Sequence, residues 1–243
     1  MSGVRADARR AWRRSAKYRP RTATGWIIVI TVAAYLVELA AVGPILGAFT
    51  LDTRYLVSAS AFEPWRLLTS VLLHAPVGPG IGVVGLTHIG FNMYAVHLFG
   101  RPLENLIGAG RLVALYVLSG LGGSVAVLYW SLFVLQAPMQ VYGASGAVFG
   151  ILGASAVIQR RLGIDVRYLY LLIVINFALA FVVSGIAWQA HVGGLLVGAL
   201  TGWVFVANRG PRRRSRATLA GAGIGAVLIV LALAPAAVSA LTR

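Results

Sequence analysis

The sequence predicts an all-α membrane protein, a polytopic helical bundle, and three observations support this fold class. The 243 residues are 59% hydrophobic and only 11% charged, with a mean hydropathy of +0.84. A soluble domain carries about 25% charged residues. The apolar residues also gather into spans, with Lys and Arg concentrated between them, as in transmembrane helices and their connecting segments.

Seven apolar spans define the predicted helices. Several are shorter than the roughly 20 residues that cross a bilayer comfortably, so we expect their helices to extend into the flanks. In chain order the spans are 26–42, 86–100, 111–130, 145–159, 168–186, 190–207 and 218–240.

These spans divide the chain into four regions. Residues 1–25 are basic and contain no short apolar core, so the first span is expected to be an uncleaved anchor. Residues 26–207 form a six-helix core, which includes a long outer loop, 43–85, rich in proline and glycine. A basic linker, 208–217, leads to a seventh helix and a short outer tail, 218–243.

The distribution of Lys and Arg predicts the orientation. With the N-terminus in the cytoplasm, 18 of the 21 basic residues fall on the inner side, and the C-terminus lies outside. The inner segments would meet anionic lipid headgroups. We expect a multi-pass protein of the cell (plasma or inner) membrane. Because apolar spans separate the basic residues, no nucleic-acid partner is predicted.

The residue inventory limits the chemistry. The chain has no cysteine, which excludes disulfides, thiol chemistry and cysteine metal sites. The histidines lack the local spacing of a metal site, and no metal or organic cofactor is implied. The histidines are His74, His88, His97 and His191.

Four polar residues fall at one predicted depth, slightly below the outer surface. Ser145 begins the fourth span, His191 begins the sixth, and both spans enter from outside. His88 and Asn92 lie four residues apart on one face of the second span. A serine with a histidine base is the minimum for nucleophilic acyl transfer, and His88 and Asn92 can donate hydrogen bonds to an oxyanion.

Each of these residues taken singly also fits a structural role. Ser145 alone fits helix packing, and Asn92 alone fits an interhelical hydrogen bond, as does Asn176 in the fifth span. No carboxylate lies at this depth on the second, fourth or sixth span, so a dyad rather than a triad is expected. Glu38, on the first span, is expected to face an interface or a structural partner.

Glycines on the fourth and sixth spans recur at GxxxG spacing, which lets two helices approach closely. This spacing is common in packed helices, but close packing is also what a dyad between these spans requires. The glycines are Gly146, Gly150, Gly194, Gly198 and Gly202.

Four motifs occur in one order along the chain. They are Trp65-Arg66 in the long loop, His88 with Asn92, Gly143-Ala144-Ser145-Gly146, and Ala190-His191 followed by Gly194 and Gly198. Together they resemble the WR, HxxxN, GxSG and AHxxGxxxG motifs of the rhomboid intramembrane serine proteases. The resemblance covers roughly residues 26–207.

The resemblance implies a role for each matching residue. Ser145 would be the nucleophile and His191 its base, while His88, Asn92 and the Ser145 backbone amide would hold the oxyanion. It implies a rhomboid-like six-helix core, and substrates that are transmembrane proteins cut near the outer membrane face. Residues expected to support the site are Gly143, Gly146, Phe149, Gly194, Trp65 and Arg66, with His74 as a structural loop histidine.

Two departures from the family pattern and two rival functions stay open. The segment 75–87 is longer than is usual in the family, and Phe149 stands where relatives often have Tyr, although its ring could still pack against His191.

One rival function is that of a catalytically inactive relative that binds membrane proteins. The other is a channel or transporter, which would distribute polar groups along a path rather than at one level.

Overall fold

The computed structural model describes residues 22–74, 81–183, 185–208 and 213–242. Over these residues the chain is a bundle of helices, which confirms the predicted all-α class. Three predicted features lie wholly or partly outside the described residues. They are the basic segment 1–25, the long segment 75–87 and the linker 208–217.

The helices start and stop within a few residues of the predicted spans, and short helices fill the long outer loop. In chain order they are α1 (Ala23–Ala40), α2 (Val42–Phe49), α3 (Arg54–Val57), α4 (Arg66–Thr69), α5 (Ile81–Ala95), α6 (Arg101–Ile107), α7 (Ala109–Trp130), α8 (Ser145–Arg161), α9 (Arg167–Val182), α10 (Trp188–Ala207) and α11 (Arg214–Leu241).

Among the described residues, four stretches of helix are long and apolar enough to cross a membrane. The helices α8 and α9 are shorter, with 17 and 16 residues. The count of seven membrane spans therefore stays a prediction. The protein is multi-pass whether or not all seven spans cross the membrane. The four stretches are Ala23–Ala40, Ala109–Leu135, Trp188–Ala207 and Ser215–Leu241.

A two-stranded sheet joins the long outer loop to the segment before α8, and sequence analysis did not predict it. Strand β1 (Leu51–Asp52) pairs antiparallel with β2 (Gln140–Val141), with Leu51 opposite Val141. The Thr53 hydroxyl shares a hydrogen bond of 2.9 Å with the Ser131 hydroxyl and accepts one of 3.0 Å from the Met139 amide. The two outer segments are thereby held together.

The helix α8 is the centre of the bundle, packed between α7 and α10. Its residues Ile151, Ala154 and Ile158 are fully buried. Glycines bring α8 and α10 together, because a Cβ at Gly194 would collide with the Gly146 backbone. The close packing expected from the GxxxG spacing is therefore present, and it sets the positions of the residues at the start of both helices.

A carboxylate holds the first turn of α1. The Thr22 hydroxyl caps the helix by accepting from Gly25, and Glu104 on α6 accepts from the Ala23 and Thr24 amides at 2.9 and 3.0 Å. The Thr24 hydroxyl donates to the same carboxylate at 2.7 Å. A negative charge at a helix N-terminus is stabilising because the unpaired amides and the helix dipole both favour it.

Two predicted polar contacts have different outcomes. Asn176 was expected to bond to another helix, but its amide donates to the Leu172 carbonyl, one turn back in its own helix, at 2.8 Å. Backbone carbonyls within the helix are the nearest acceptors for a short amide side chain. Glu38 has the structural partner that was expected, since it is fully buried and accepts from the His74 amide at 2.8 Å.

Candidate active site

Ser145 is the first residue of α8, and the chain turns sharply before it. Gly143 has φ of +126°, a conformation that side-chain-bearing residues rarely adopt. The first amides of a helix have no partner inside the helix, so those of Ser145 and Gly146 are available to an acceptor beside the serine hydroxyl. The positive end of the helix dipole lies at the same place.

His191 lies beside this serine, in the first turn of α10. Its Nε2 is 2.9 Å from Ser145 Oγ, a hydrogen-bond distance. The Phe149 ring stacks on the imidazole, with ring centres 4.2 Å apart and planes 10° from parallel. This contact restricts the orientation of the imidazole without any hydroxyl group on the ring.

The other nitrogen of His191 has no orienting acid in the described part of the chain. His191 is 6% exposed, and its Nδ1 is buried with no hydrogen-bond partner among the described residues. In a triad, a carboxylate holds that nitrogen and fixes the tautomer. Here the Phe149 ring is the contact that orients the imidazole.

His88 faces the loop that leads into Ser145. A Cβ added to Gly143 would lie 3.0 Å from the His88 Nε2, so the ring occupies the space next to that glycine. Its centre is 5.0 Å from that of His74 and 6.4 Å from that of Tyr142. The imidazole is therefore close to the backbone that precedes the candidate nucleophile.

Asn92 lies one turn along α5 from His88 and is nearly buried, at 6% exposure. Its amide donates to the His88 carbonyl at 3.0 Å, within its own helix. This bond uses one of its two N–H groups. No described hydrogen bond joins Asn92 to Ser145, whereas the His88 ring lies against the serine loop at Gly143.

His74 forms a connection to the serine loop that sequence analysis missed. It is fully buried, its Nδ1 is 3.2 Å from the Leu72 carbonyl, and its Nε2 is 3.3 Å from the Ala144 amide. These distances fit one tautomer, in which Nδ1 donates and Nε2 accepts. Burial, with a smaller effect of His88, lowers the pKa of His74 to about 4. The signal for this histidine in the sequence was its place after the Trp65-Arg66 motif in the same loop.

Trp65 and Arg66 brace the long outer loop rather than the dyad. The Trp65 indole donates to the Ala48 carbonyl at 3.1 Å. The Arg66 guanidinium is buried and donates to the Thr50 and Gly47 carbonyls at 2.9 and 2.8 Å. Both side chains satisfy the carbonyls at the end of α2, which otherwise lack partners.

A small cavity lies behind the serine loop, between Gly143, Gly146 and Ser70. Its volume is about 20 Å³, which is enough for one water molecule. Among the residues that the structure describes, no three His, Asp or Glu side chains group as metal ligands. The chemical groups at this site are therefore a hydroxyl, imidazoles, backbone amides and space for water.

Comparison with known proteins identifies a family for this arrangement. Residues 61–208 match the family model described as the Rhomboid domain. The chain is 34% identical over 144 residues to "Rhomboid protease GluP" of Bacillus subtilis (strain 168), a match covering 56% of this chain and 25% of that protein. It is 32% identical over 163 residues to "Putative rhomboid protease YdcA" of the same organism, covering 65% and 75%.

A plant relative extends the comparison. The chain is 34% identical over 172 residues to "RHOMBOID-like protein 6, mitochondrial" of Arabidopsis thaliana, covering 66% of this chain and 48% of that protein. The chain thus matches between a quarter and about half of the length of two of these relatives. The matched region contains both Ser145 and His191.

Proposed function

Because the chain belongs to the rhomboid family, we propose that it is an intramembrane serine endopeptidase in which Ser145 and His191 form the catalytic dyad. The observation that carries the proposal is the 2.9 Å separation of Ser145 Oγ and His191 Nε2 at the adjoining starts of α8 and α10. Free hydroxyls are weak nucleophiles, and a base at this distance is what activates them.

The proposed first step forms an acyl-enzyme. His191 Nε2 takes the proton of Ser145 as Oγ attacks a peptide carbonyl. The tetrahedral intermediate then collapses, and the imidazolium gives that proton to the departing amine, so the C–N bond breaks as the ester forms. The stacked Phe149 ring keeps the imidazole facing the hydroxyl through both transfers.

The oxyanion requires donors at the start of α8. The Ser145 amide and the positive end of the helix dipole are fixed there by the fold. The His88 ring, which lies beside Gly143, supplies a further hydrogen-bond donor. One N–H of the Asn92 amide is bonded to the His88 carbonyl, so Asn92 donates to the intermediate through its second N–H.

Water must then hydrolyse the ester. The cavity lined by Gly143 and Gly146, which flank the serine in the chain, has space for one water molecule. In this step His191 takes a proton from water and returns it to Ser145 Oγ as the acid product leaves. The predicted topology supplies this water from the outer side of the membrane.

The proposed substrates are transmembrane proteins cut near the outer membrane face. A carbonyl within a helix is already hydrogen-bonded, so the substrate helix must unwind before attack. Gly or Pro near the cut site lowers that cost. Glycine-rich walls around Ser145 favour a small residue on the acyl side of the cut.

Covalent labelling with a fluorophosphonate tests the dyad without knowledge of a substrate. We expect the native chain to label and Ser145→Ala and His191→Ala to lose labelling by about 100-fold or more. Thr201→Ala is the matched control, because Thr201 is a buried hydroxyl on α10 away from the dyad, and it should label like the native chain.

Two outcomes of the labelling would contradict the dyad, and one cleavage result would contradict the account of the substrate. A folded native chain that does not label would favour a catalytically inactive relative that binds membrane proteins. Labelling that survives in Ser145→Ala would assign the reactive hydroxyl to another residue. Equal cleavage of a poly-leucine span and a span containing Gly or Pro would contradict the unwinding requirement.

A further inference from the structure

A groove separates α7 from α11 at the end of the bundle predicted to face the cytoplasm. Its volume is about 750 Å³, within the range of about 300–1,000 Å³ that is typical of ligand pockets. Buried Phe205 and Ala217 form its floor. Exposed Val117 and Ala222 lie at its open side. The groove plays no part in the proposed proteolysis, and a ligand bound there does not depend on that activity.

Small residues create the groove. Along the outer half of α11, Leu228 and Ala232 are buried against the bundle. Along the inner half, the residues facing α7 include Gly221 and Gly225. In the first turn of α7, a Cβ on Gly110 would meet no atom within 4 Å. The two helices therefore pack closely at one end and leave an apolar channel at the other.

One wall of the groove carries a cation that has no ionic partner among the described residues. The Arg111 guanidinium lies over the Phe205 ring, 5.5 Å from its centre, and none of the ion pairs in the described part of the chain includes it. Arg213 and Arg216, at the start of α11, are exposed. Glu104, the acid of the preceding helix, is buried and already accepts three hydrogen bonds.

We propose that this groove binds one anionic phospholipid, with its phosphate at Arg111 and an acyl chain along the groove, between Val117 on α7 and Ala222 on α11. Both flanking helices are long and apolar enough to span a bilayer, so the groove opens towards hydrocarbon with the cation at its polar end. A guanidinium matches a phosphate in charge and geometry.

Charge complementarity selects this occupant over two others. The N-terminal segment of the chain is itself basic, so Arg111 repels it. A second copy of the chain would present the same arginines. A phospholipid supplies both the anion and the apolar tail, and the cytoplasmic leaflet is the source of anionic lipid beside this end of the bundle.

Native mass spectrometry of the full chain in neutral detergent tests the proposal. The probes are phosphatidylglycerol and phosphatidylcholine with identical acyl chains, and inorganic phosphate. We expect one phosphatidylglycerol to bind about fivefold or more tightly than phosphatidylcholine, because each arginine near an anionic lipid contributes about 1 kcal/mol. Inorganic phosphate should not compete, because it lacks the chain that fills the groove.

Variants locate the site. Arg111→Gln should lose the headgroup preference and Arg111→Lys should keep part of it. Ala222→Phe should fill the groove and lose the lipid. The control Ala226→Phe, one turn farther along α11 and also exposed, should bind normally. So should Arg160→Gln, which removes an exposed cation of α8 predicted to face the same side.

Three results would overturn the proposal. The first is equal binding of the two lipids. The second is an equal loss of lipid binding in Arg111→Gln and Arg160→Gln, which would indicate diffuse electrostatic attraction. The third is full lipid binding by Ala222→Phe. If Ala222→Phe does not fold, as judged by its thermal midpoint without lipid, the comparison of Arg111→Gln with Arg111→Lys decides.

Discussion

The imidazole of His74 links three segments at the residue scale. Its backbone amide is bonded to Glu38 on α1, its Nδ1 contacts the Leu72 carbonyl, and its Nε2 accepts from Ala144, next to Ser145. These contacts require a neutral ring, because a protonated Nε2 would point a second N–H at the Ala144 amide.

The first prediction concerns the pH dependence of stability at His74. Its pKa is about 4 in the folded chain and ordinarily 6.5. Between these values the unfolded chain binds a proton that the folded chain does not, so stability falls as the pH is lowered from 6.5 towards 4. The gap corresponds to roughly 3 kcal/mol.

His74→Gln keeps an acceptor for the Ala144 amide but does not titrate. We expect its thermal midpoint to fall less steeply over this pH range than that of the native chain. His88 and His191 are present in both proteins, so the difference between the two slopes isolates His74. Parallel slopes would show that His74 does not carry the effect.

Glycine at the α8–α10 contact is the second residue-scale determinant. A Cβ at Gly198 would collide with the backbone of Gly150, which cannot move aside as a flexible side chain can. We predict that Gly198→Ala lowers the free energy of unfolding by about 1–3 kcal/mol. Fluorophosphonate labelling should fall as well, because the separation of these helices sets the distance between Ser145 and His191.

Gly90→Ala is the matched control for this substitution. A Cβ at Gly90 meets no atom within 4 Å, and alanine has the higher helix propensity by about 1 kcal/mol. Its thermal midpoint should therefore stay or rise. A similar loss in both variants would mean that helix propensity or backbone freedom, rather than interhelical contact, determines the effect.

At the scale of elements, Glu104 joins the start of α1 to α6. Removing it leaves the Ala23 and Thr24 amides and the Thr24 hydroxyl without their acceptor. We predict that Glu104→Ala lowers the free energy of unfolding by about 2–4 kcal/mol, because buried donors lose a charged partner. Thermal unfolding in detergent measures the loss.

Asp165→Ala is the comparison for Glu104→Ala. Asp165 is a carboxylate whose side chain is 70% exposed, pairs with the Arg167 guanidinium at 4.0 Å and accepts from the Arg167 amide at 2.9 Å at the surface. Surface pairs contribute at most about 1 kcal/mol, so its loss should be small. A loss equal to that of Glu104→Ala would indicate a general effect of net charge.

At the scale of the whole molecule, α11 connects the two ends of the bundle. Its C-terminal half packs on α7 and on the long loop 43–85, where Leu56, Leu228 and Ala232 share one apolar cluster. The Tyr129 hydroxyl donates to the Leu231 carbonyl at 3.1 Å. The helix α11 is therefore a support for the long loop 43–85 as well as one wall of the groove at the opposite end.

The predicted orientation is tested by single cysteines, since the native chain has none. We expect a membrane-impermeant maleimide to label Ser60→Cys and Thr242→Cys from the outer side of sealed, right-side-out vesicles. Leu162→Cys, between α8 and α9, should label only after permeabilisation, because the arginine-rich segments are predicted to be inside. The reverse pattern would contradict the assigned topology.

The sequence by itself determined the helical class, the approximate extent of the helices that match the seven apolar spans, and the set of candidate residues. Helix formation and burial in a membrane depend on local composition, and the positions of Ser145 and His191 follow from their places at the ends of apolar spans. His88, predicted near the start of its span, lies instead in the middle of α5. The stacking of Phe149 on His191 could also be anticipated, because that ring follows the serine by about one helical turn.

Only the tertiary structure decided which of these groups meet. Asn92 donates within its own helix, while His74, assigned only a loop role, contacts the serine loop and α1. The pairing of β1 with β2 and the groove beside Arg111 join segments far apart in the chain. Such contacts depend on helix separation and side-chain rotation, which the periodicity of a single span does not specify.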